Sequence, residues 1–196
     1  MNRIDALARL AATLTDEPVV VSLGHPAYDL YACADRPLNF YTWGSMGLTS
    51  PIALGLALAR PDRRVVALDG DGSLLMNLGA LATIAACAPA NLVVVVLDNG
   101  QYATTGGQPT PTAGAANLEL AARALGFTRT ATVGDAAALD RALAESVRVP
   151  GPWFLVAKVT ESAPVAKPPL DCVSIKQRFM AALGGGEPGT KGTGIA

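Results

Sequence analysis

Histidine occurs only once, at position 25, so this chain cannot build a multi-histidine metal centre by itself. Cysteine occurs three times, at positions 33, 87 and 172. The count is odd, the spacings are long and there is no Cys-x-x-Cys. That points away from a disulfide framework and toward reduced thiols in a cytoplasmic protein. Basic residues form no block and the formal charge is −1, which argues against nucleic acid as a partner. No apolar run reaches the length of a membrane span. Arg3, Asp5 and Arg9 interrupt the apolar residues of the first segment, so it does not read as a signal peptide. No internal repeat is present. Aromatic residues are only 5% of the chain. Tyr28, Tyr31, Phe40, Tyr41 and Trp43 concentrate them in one stretch, either to pack beneath a loop or to form an interface.

What the chain has is aliphatic residues. Of its 196 residues 51% are hydrophobic, with Ala and Val abundant, enough for one compact domain with a sizeable core. That domain is expected over residues 1–183, followed by a Gly-rich, flexible tail over 184–196. The tail's Gly189-Thr190-Lys191-Gly192 lacks the Gly-Lys-Ser/Thr order of a phosphate loop and follows no strand. Ile4, Leu7, Ala11 and Leu14 give a first helix one apolar face. Residues 18–23 read as a strand, 26–41 as a long loop without a period, and 47–59 as a helix. Residues 64–68 read as a buried strand. Residues 73–86 read as a helix with Leu74, Leu78, Leu81 and Ala85 on one face. Residues 91–97 are too apolar for a half-wet strand and belong at the centre of a sheet covered on both faces. Residues 100–115 read as a lid or ligand-ordered loop, with Thr104, Thr105 and Gln108 toward a cavity. Then come a helix over 117–125 capped by Asn117, a strand over 128–133 and a helix over 135–147 capped by Asp135. A last strand spans 153–159, and Asp171 caps a final helix carrying Ile175, Phe179 and Met180. Lys158 and Lys167 are expected in solvent. The alternation predicts an α/β fold: a three-layer, open, mostly parallel sheet with helices on both faces.

The chemistry concentrates at Gly70-Asp71-Gly72-Ser73 and Asp98-Asn99-Gly100. Both follow buried strands, so both lie at the carboxyl edge of the sheet, where open α/β sheets bind ligands. Glycines let a ligand approach the backbone, and a helix start attracts phosphate. Asp71 in the middle of that turn would repel a diphosphate. The conflict disappears if a divalent cation lies between them. Asp71, the amide oxygen of Asn99 and the backbone carbonyl of Gln101 are the oxygen ligands that magnesium takes. Either Asp71 or Asn99 alone reads equally as a turn or cap residue. A dinucleotide site would need a third glycine, and position 75 is Leu75. Gly24-His25 also falls at a strand end. His25 is either a hydrogen-bonded loop residue or a contact to diphosphate or substrate.

Gly-Asp-Gly-Ser followed after a helix and a strand by Asn99 resembles the fingerprint of thiamine diphosphate enzymes, in the domain that holds the diphosphate. Gly44-Ser45-Met46-Gly47 resembles the segment that props the cofactor in a V shape, with Met46 under the bend. Asp98-Asn99-Gly100-Gln101-Tyr102, then Thr105-Gly106-Gly107-Gln108, and later Pro168-Pro169-Leu170-Asp171, resemble sulfopyruvate and phosphonopyruvate decarboxylases; Ala103 stands where such relatives often carry glycine. The resemblance implies a thiamine diphosphate and Mg2+ site formed by Gly44, Ser45, Met46, Gly70, Asp71, Gly72, Ser73, Asn99, Gln101 and Tyr102, to which Gly24 and His25 are added by their place at a strand end on the same edge. It implies decarboxylation of a 2-oxo acid to an aldehyde and CO2, with Met46 enforcing the cofactor's geometry, and His25 is the further candidate at the reaction; a carboligase or a non-catalytic regulatory subunit are the alternatives. Such enzymes also need a glutamate from a second domain. Glu17, Glu119, Glu145, Glu161 and Glu187 do not sit in that motif. A separate pyrimidine-binding partner subunit is therefore expected, in a hetero-oligomer with at least two copies of each chain.

Overall fold

The computed structural model describes residues 1–163 and 166–184; the expected flexible tail lies, but for Gly184, outside the described residues. Helix α1 (Arg3–Thr13) leads to strand β1 (Val19–Val21), then α2 (His25–Ala34), β2 (Asn39–Tyr41) and α3 (Thr49–Ala59). Strand β3 (Val65–Gly70) runs into α4 (Asp71–Met76) and α5 (Ala80–Cys87), which lead to β4 (Leu92–Asp98). A small hairpin of β5 (Gln101–Tyr102) and β6 (Gln108–Pro109) follows. The chain closes with α6 (Leu118–Ala124), β7 (Arg129–Val133), α7 (Ala136–Arg148), β8 (Trp153–Lys158) and α8 (Cys172–Ala182). The main sheet has the order β2-β1-β3-β4-β8-β7, and every neighbouring pair is parallel. The expected α/β fold is present.

The sheet forms because its central strands have no wet face. All seven residues of β4 are buried, and it lies between β3 and β8. Alternate residues feed two cores. Val93, Val95 and Leu97 join Leu7, Leu30 and Leu155 on one face, while Val94 and Val96 join Leu81, Ile84 and Phe154 on the other. Helices seal both cores. In α7, Leu139, Ala142, Leu143 and Ser146 face inward at helical spacing. Asn117, Asp135 and Asp171 cap their helices as expected, each side chain accepting a backbone N–H three residues on.

Three expectations are corrected. The helix expected over 73–86 is two helices. Asn77 leaves helical geometry at φ −144 and ψ 49, and its N–H closes on Leu74 instead. The break makes room for Gly47, which has φ +85 and lies so close that a Cβ there would sit 3.0 Å from Met76 Cβ. The stretch 26–41 is not a loop: β2 has only three residues, and α2 buries Asp29 beside Ala27 and Leu30, so its inward face shows no clean apolar period. The buried face of α1 is Arg3, Ala6, Leu7 and Leu10, rotated from the predicted one so that a charged residue enters the interior. Lys158 and Lys167 are exposed as expected; Lys158 also pairs with buried Asp98 at 2.5 Å, and Lys167 sits 5.1 Å over the Tyr28 ring.

The clustered aromatic residues are packed. Tyr28, Tyr31, Phe40 and Trp43 lie against the first core, Phe40 stacks with Phe179 of α8 at 5.3 Å, and Trp43 donates to the Pro169 carbonyl at 2.9 Å. The three cysteines are free and exposed. No helix among the described residues is long and apolar enough to cross a membrane.

Two glycine substitutions separate backbone strain from helix propensity. Gly47→Ala is expected to lower stability by roughly 2 kcal/mol, because a side chain rarely adopts its φ and the new Cβ meets Met76. Gly55→Ala, in the open middle of α3, is expected to raise stability by about 0.5–1 kcal/mol. Urea unfolding of both variants measures the difference.

Candidate functional site

The ends of β1, β3, β4 and β8 converge on a cleft of about 660 Å³ at the carboxyl edge of the sheet. Ser22, Gly24 and His25 line it after β1, and Gly70, Asp71, Gly72 and Ser73 line it after β3. Asn99, Gln101, Tyr102, Thr104, Thr105 and Gln108 come from the segment after β4. Met46 and Met76 line it from the loop before α3 and the helix break. The structure therefore brings together all the predicted residues except Gly44 and Ser45, which are exposed and outside the lining. Ser45 has a left-handed backbone, with φ 61.

Asp71 lines the cleft, and a second buried carboxylate, Asp98, lies next to it outside the lining. Asp71 is 2% exposed and Asp98 3%. Parallel pairing of Gly70 with Leu97 sets their strand ends side by side. The Thr110 hydroxyl donates to Asp71 Oδ2 at 2.5 Å. Thr112 Oγ1 lies 3.0 Å from the same oxygen and 2.8 Å from Asp98 Oδ1. Among the described residues Asp71 Oδ1 receives no side-chain hydrogen bond, and Lys158 pairs with Asp98 alone. Burial pushes the Asp71 carboxyl above its usual range, and the Asp98 charge adds to this, against the opposing threonine hydroxyls. The segment 100–115 is thus no free lid. Thr110 and Thr112, which sequence reasoning missed, tie it down, and the Tyr102 ring covers Gly72 so closely that a Cβ there would lie 2.4 Å from it.

Beside this pair stands a second network that the sequence did not announce. Glu161 follows β8 by three residues and lines the cleft. Its Oε1 accepts from Asn99 Nδ2 at 2.5 Å. Its Oε2 accepts from Arg3 and lies 3.1 Å from His25 Nδ1. Arg3 is 1% exposed and also donates to Asp29 at 2.6 Å. Burial alone would raise the Glu161 carboxyl, but the hydrogen bonds from Arg3 and Asn99 outweigh it and hold it below the usual range. The available signal was position: Glu161 lies just past a strand at the active edge. Arg3 gave no such signal.

Ser73 also has a structural task. Its Oγ accepts from Gly47 N at 3.0 Å and from Ser22 Oγ at 3.1 Å, linking the loops that follow β1 and β3 and precede α3. Beneath them Asp69 is wholly buried; Oδ1 accepts from Gly70 N at 2.9 Å, and Oδ2 has no partner among the described residues. Burial raises its carboxyl to about 6. The folded state therefore holds the proton more tightly than the unfolded state, and this contribution to stability is lost as pH rises from 3.8 to about 6. Across that window the stability of the unsubstituted protein is expected to fall relative to Asp69→Asn by about 3 kcal/mol. Urea unfolding of both proteins in a pH series measures it.

The comparisons with known proteins agree with this geometry. Residues 24–157 match the family described as "Thiamine pyrophosphate enzyme, C-terminal TPP binding domain". The chain is 44% identical to the sulfopyruvate decarboxylase subunit beta of Methanothermobacter thermautotrophicus, over 94% of this chain and 97% of that one. It is 53% identical to the sulfopyruvate decarboxylase of Methanosarcina acetivorans over 68% of this chain, but spans only 34% of that longer protein. An X-ray structure assigned to a thiamin diphosphate-dependent enzyme of Mycobacterium smegmatis superposes with a TM-score of 0.70 at 28% identity, over 83% of this chain and 32% of that one. The matched segment runs from Gly24 at the cleft to Ala157 in β8 and takes in both buried carboxylates; the chain belongs to the thiamine pyrophosphate enzymes, as their C-terminal TPP-binding domain.

Proposed function

We propose that this chain is the diphosphate-binding subunit of a two-subunit, thiamine diphosphate-dependent decarboxylase acting on a 2-oxo acid with an anionic tail, sulfopyruvate first and phosphonopyruvate second. The observation that carries the proposal is the end-to-end correspondence with a relative named as subunit beta of such an enzyme. The smaller share of the longer relative is consistent with a second half that this chain does not contain.

The residues fit the cofactor and its metal. A Cβ at Gly70 would meet nothing within 4 Å, so Gly70, unlike Gly72 beneath Tyr102, leaves the cleft open without a packing reason. Asp71 is a buried carboxylate with a free oxygen beside a second buried carboxylate, which favours a divalent cation. In this reading Asp71, Asn99 Oδ1 and the Gln101 carbonyl hold Mg2+. Gly24, His25, Gly70, Gly72 and Ser73 hold the diphosphate, while Gly44, Ser45, Met46 and Tyr102 flank the rest of the cofactor. When bound, thiamine diphosphate supplies the nucleophilic carbon and the electron sink for loss of CO2. Met46, 39% exposed rather than packed in the chain's own core, props the cofactor's bend and so supplies proximity. His25 offers a ring nitrogen to diphosphate or substrate.

The partner is a pyrimidine-binding subunit. Glu161 is the only glutamate lining the cleft among the described residues. It is committed to Arg3 and held ionised, which makes it a poor proton relay, so the activating glutamate comes from the partner. Met46 and Met76, 39% and 60% exposed at the cleft, fit a surface that a partner covers. The assembly holds at least two copies of each chain and needs no membrane or nucleic acid.

Reconstitution tests this. The chain co-purified with its partner is expected to release CO2 from sulfopyruvate or phosphonopyruvate in preference to pyruvate, and Asp71→Ala is expected to lower the rate by at least about a hundredfold. Each subunit alone is expected to be inactive. Decarboxylation by this chain without a partner contradicts the proposal.

A further inference from the structure

Asn99 has two polar ends, and only one can coordinate a cation. Its amide oxygen can bind a metal and its nitrogen cannot. Something must therefore fix which way the amide faces. An ionised carboxylate only accepts hydrogen bonds, so Asn99 can meet Glu161 only with its NH2 group, at 2.5 Å. That turns Oδ1 to the opposite side, where it accepts from Gln101 N at 3.0 Å and keeps a second lone pair. Glu161 is itself held from several directions. Arg3 pairs with its Oε2, and Arg3 is fixed in turn by Asp29 and by the Ser162 carbonyl. The backbone at Thr160 is clamped by the start of the chain, with Thr160 N donating to Met1 O and Arg3 N to Thr160 O. The same carboxylate faces His25 Nδ1, leaving Nε2 as the ring's remaining polar atom.

We infer that Glu161 is a positioning residue: clamped by Arg3, it orients the Asn99 amide so that its oxygen is presented to the divalent cation, and through the same carboxylate it fixes the His25 ring. The inference rests on the proposed magnesium–diphosphate reading of the cleft and adds a residue to it. Partners behind metal ligands commonly change metal affinity by about 10–100-fold when removed. Asn99 and Glu161 should also behave as one unit rather than two independent contributions.

The test follows binding of thiamine diphosphate at graded magnesium concentrations to the chain with its partner subunit, by calorimetry. Glu161→Ala is expected to raise the magnesium concentration for half-saturation by about tenfold or more. Glu161→Gln keeps an acceptor oxygen for Asn99 and is expected to fall between this variant and the unsubstituted protein. The decisive comparison is the double variant. Asn99→Ala and Asn99→Ala/Glu161→Ala are expected to share nearly the same magnesium half-saturation, because without the amide Glu161 has no metal ligand left to orient and keeps only its contact to His25. A role in folding alone would not produce that equality. Unchanged magnesium dependence in both Glu161 variants overturns the inference, as does a double variant whose loss is the sum of the single losses. If Glu161→Ala does not fold, the comparison is made with Glu161→Gln alone and in combination with Asn99→Ala. Failure of the unsubstituted complex to bind thiamine diphosphate with magnesium overturns the underlying reading itself, a result distinct from either of these.

Discussion

Asp71 and Asp98 are both buried, and Thr112 Oγ1 lies within hydrogen-bond distance of both. Two carboxylates taken out of water at neighbouring strand ends repel each other and lose hydration, at a cost of several kcal/mol per ion unless charge or hydrogen bonds offset it. Lys158 offsets Asp98. Asp71 has two hydroxyls and no cationic side chain. The rest of the edge is arranged around that imbalance. The segment after β4 folds back so that Thr110 and Thr112 reach the carboxylates, and this return places Tyr102 over Gly72 and gives the cleft its wall. A divalent cation on the free oxygen of Asp71 would remove the imbalance and attract the diphosphate that a bare carboxylate repels.

The second constraint is the junction at Glu161. The first residues of the chain, the start of α2, the end of β4 and the segment after β8 are remote in sequence, and one carboxylate ties them together. This also accounts for the buried arginine in α1, whose inward face was expected to be Ile4, Leu7, Ala11 and Leu14. Arg3 is buried and shares its charge between Asp29 and the half-buried Glu161, which it helps hold ionised, so the three act together.

Much of this was legible in the sequence because it follows from local pattern. Val93 to Val96 are apolar without alternation, which only a strand covered on both faces needs. Asn117, Asp135 and Asp171 announced their helices through cap chemistry. Gly70 to Ser73 and Asn99 pointed to the cleft they line because both segments follow buried strands at the carboxyl edge of the sheet. The missing parts depend on contacts between distant segments. The break after Met76 exists because Gly47 packs there, and nothing within residues 73–86 signals it. Thr110 and Thr112 look like ordinary loop residues until the loop folds back. Glu161 and Arg3 have meaning only as a pair 158 positions apart. Three-residue strands such as β2 are too short to carry a period at all.

Calorimetric titration of thiamine diphosphate into the chain, with and without magnesium, with and without its partner, and repeated with Asp71→Ala, tests the central claim most directly. The account predicts strong binding only when magnesium and partner are both present, and its loss in Asp71→Ala. Binding that ignores magnesium or survives Asp71→Ala, or no binding even in the full complex, would contradict it.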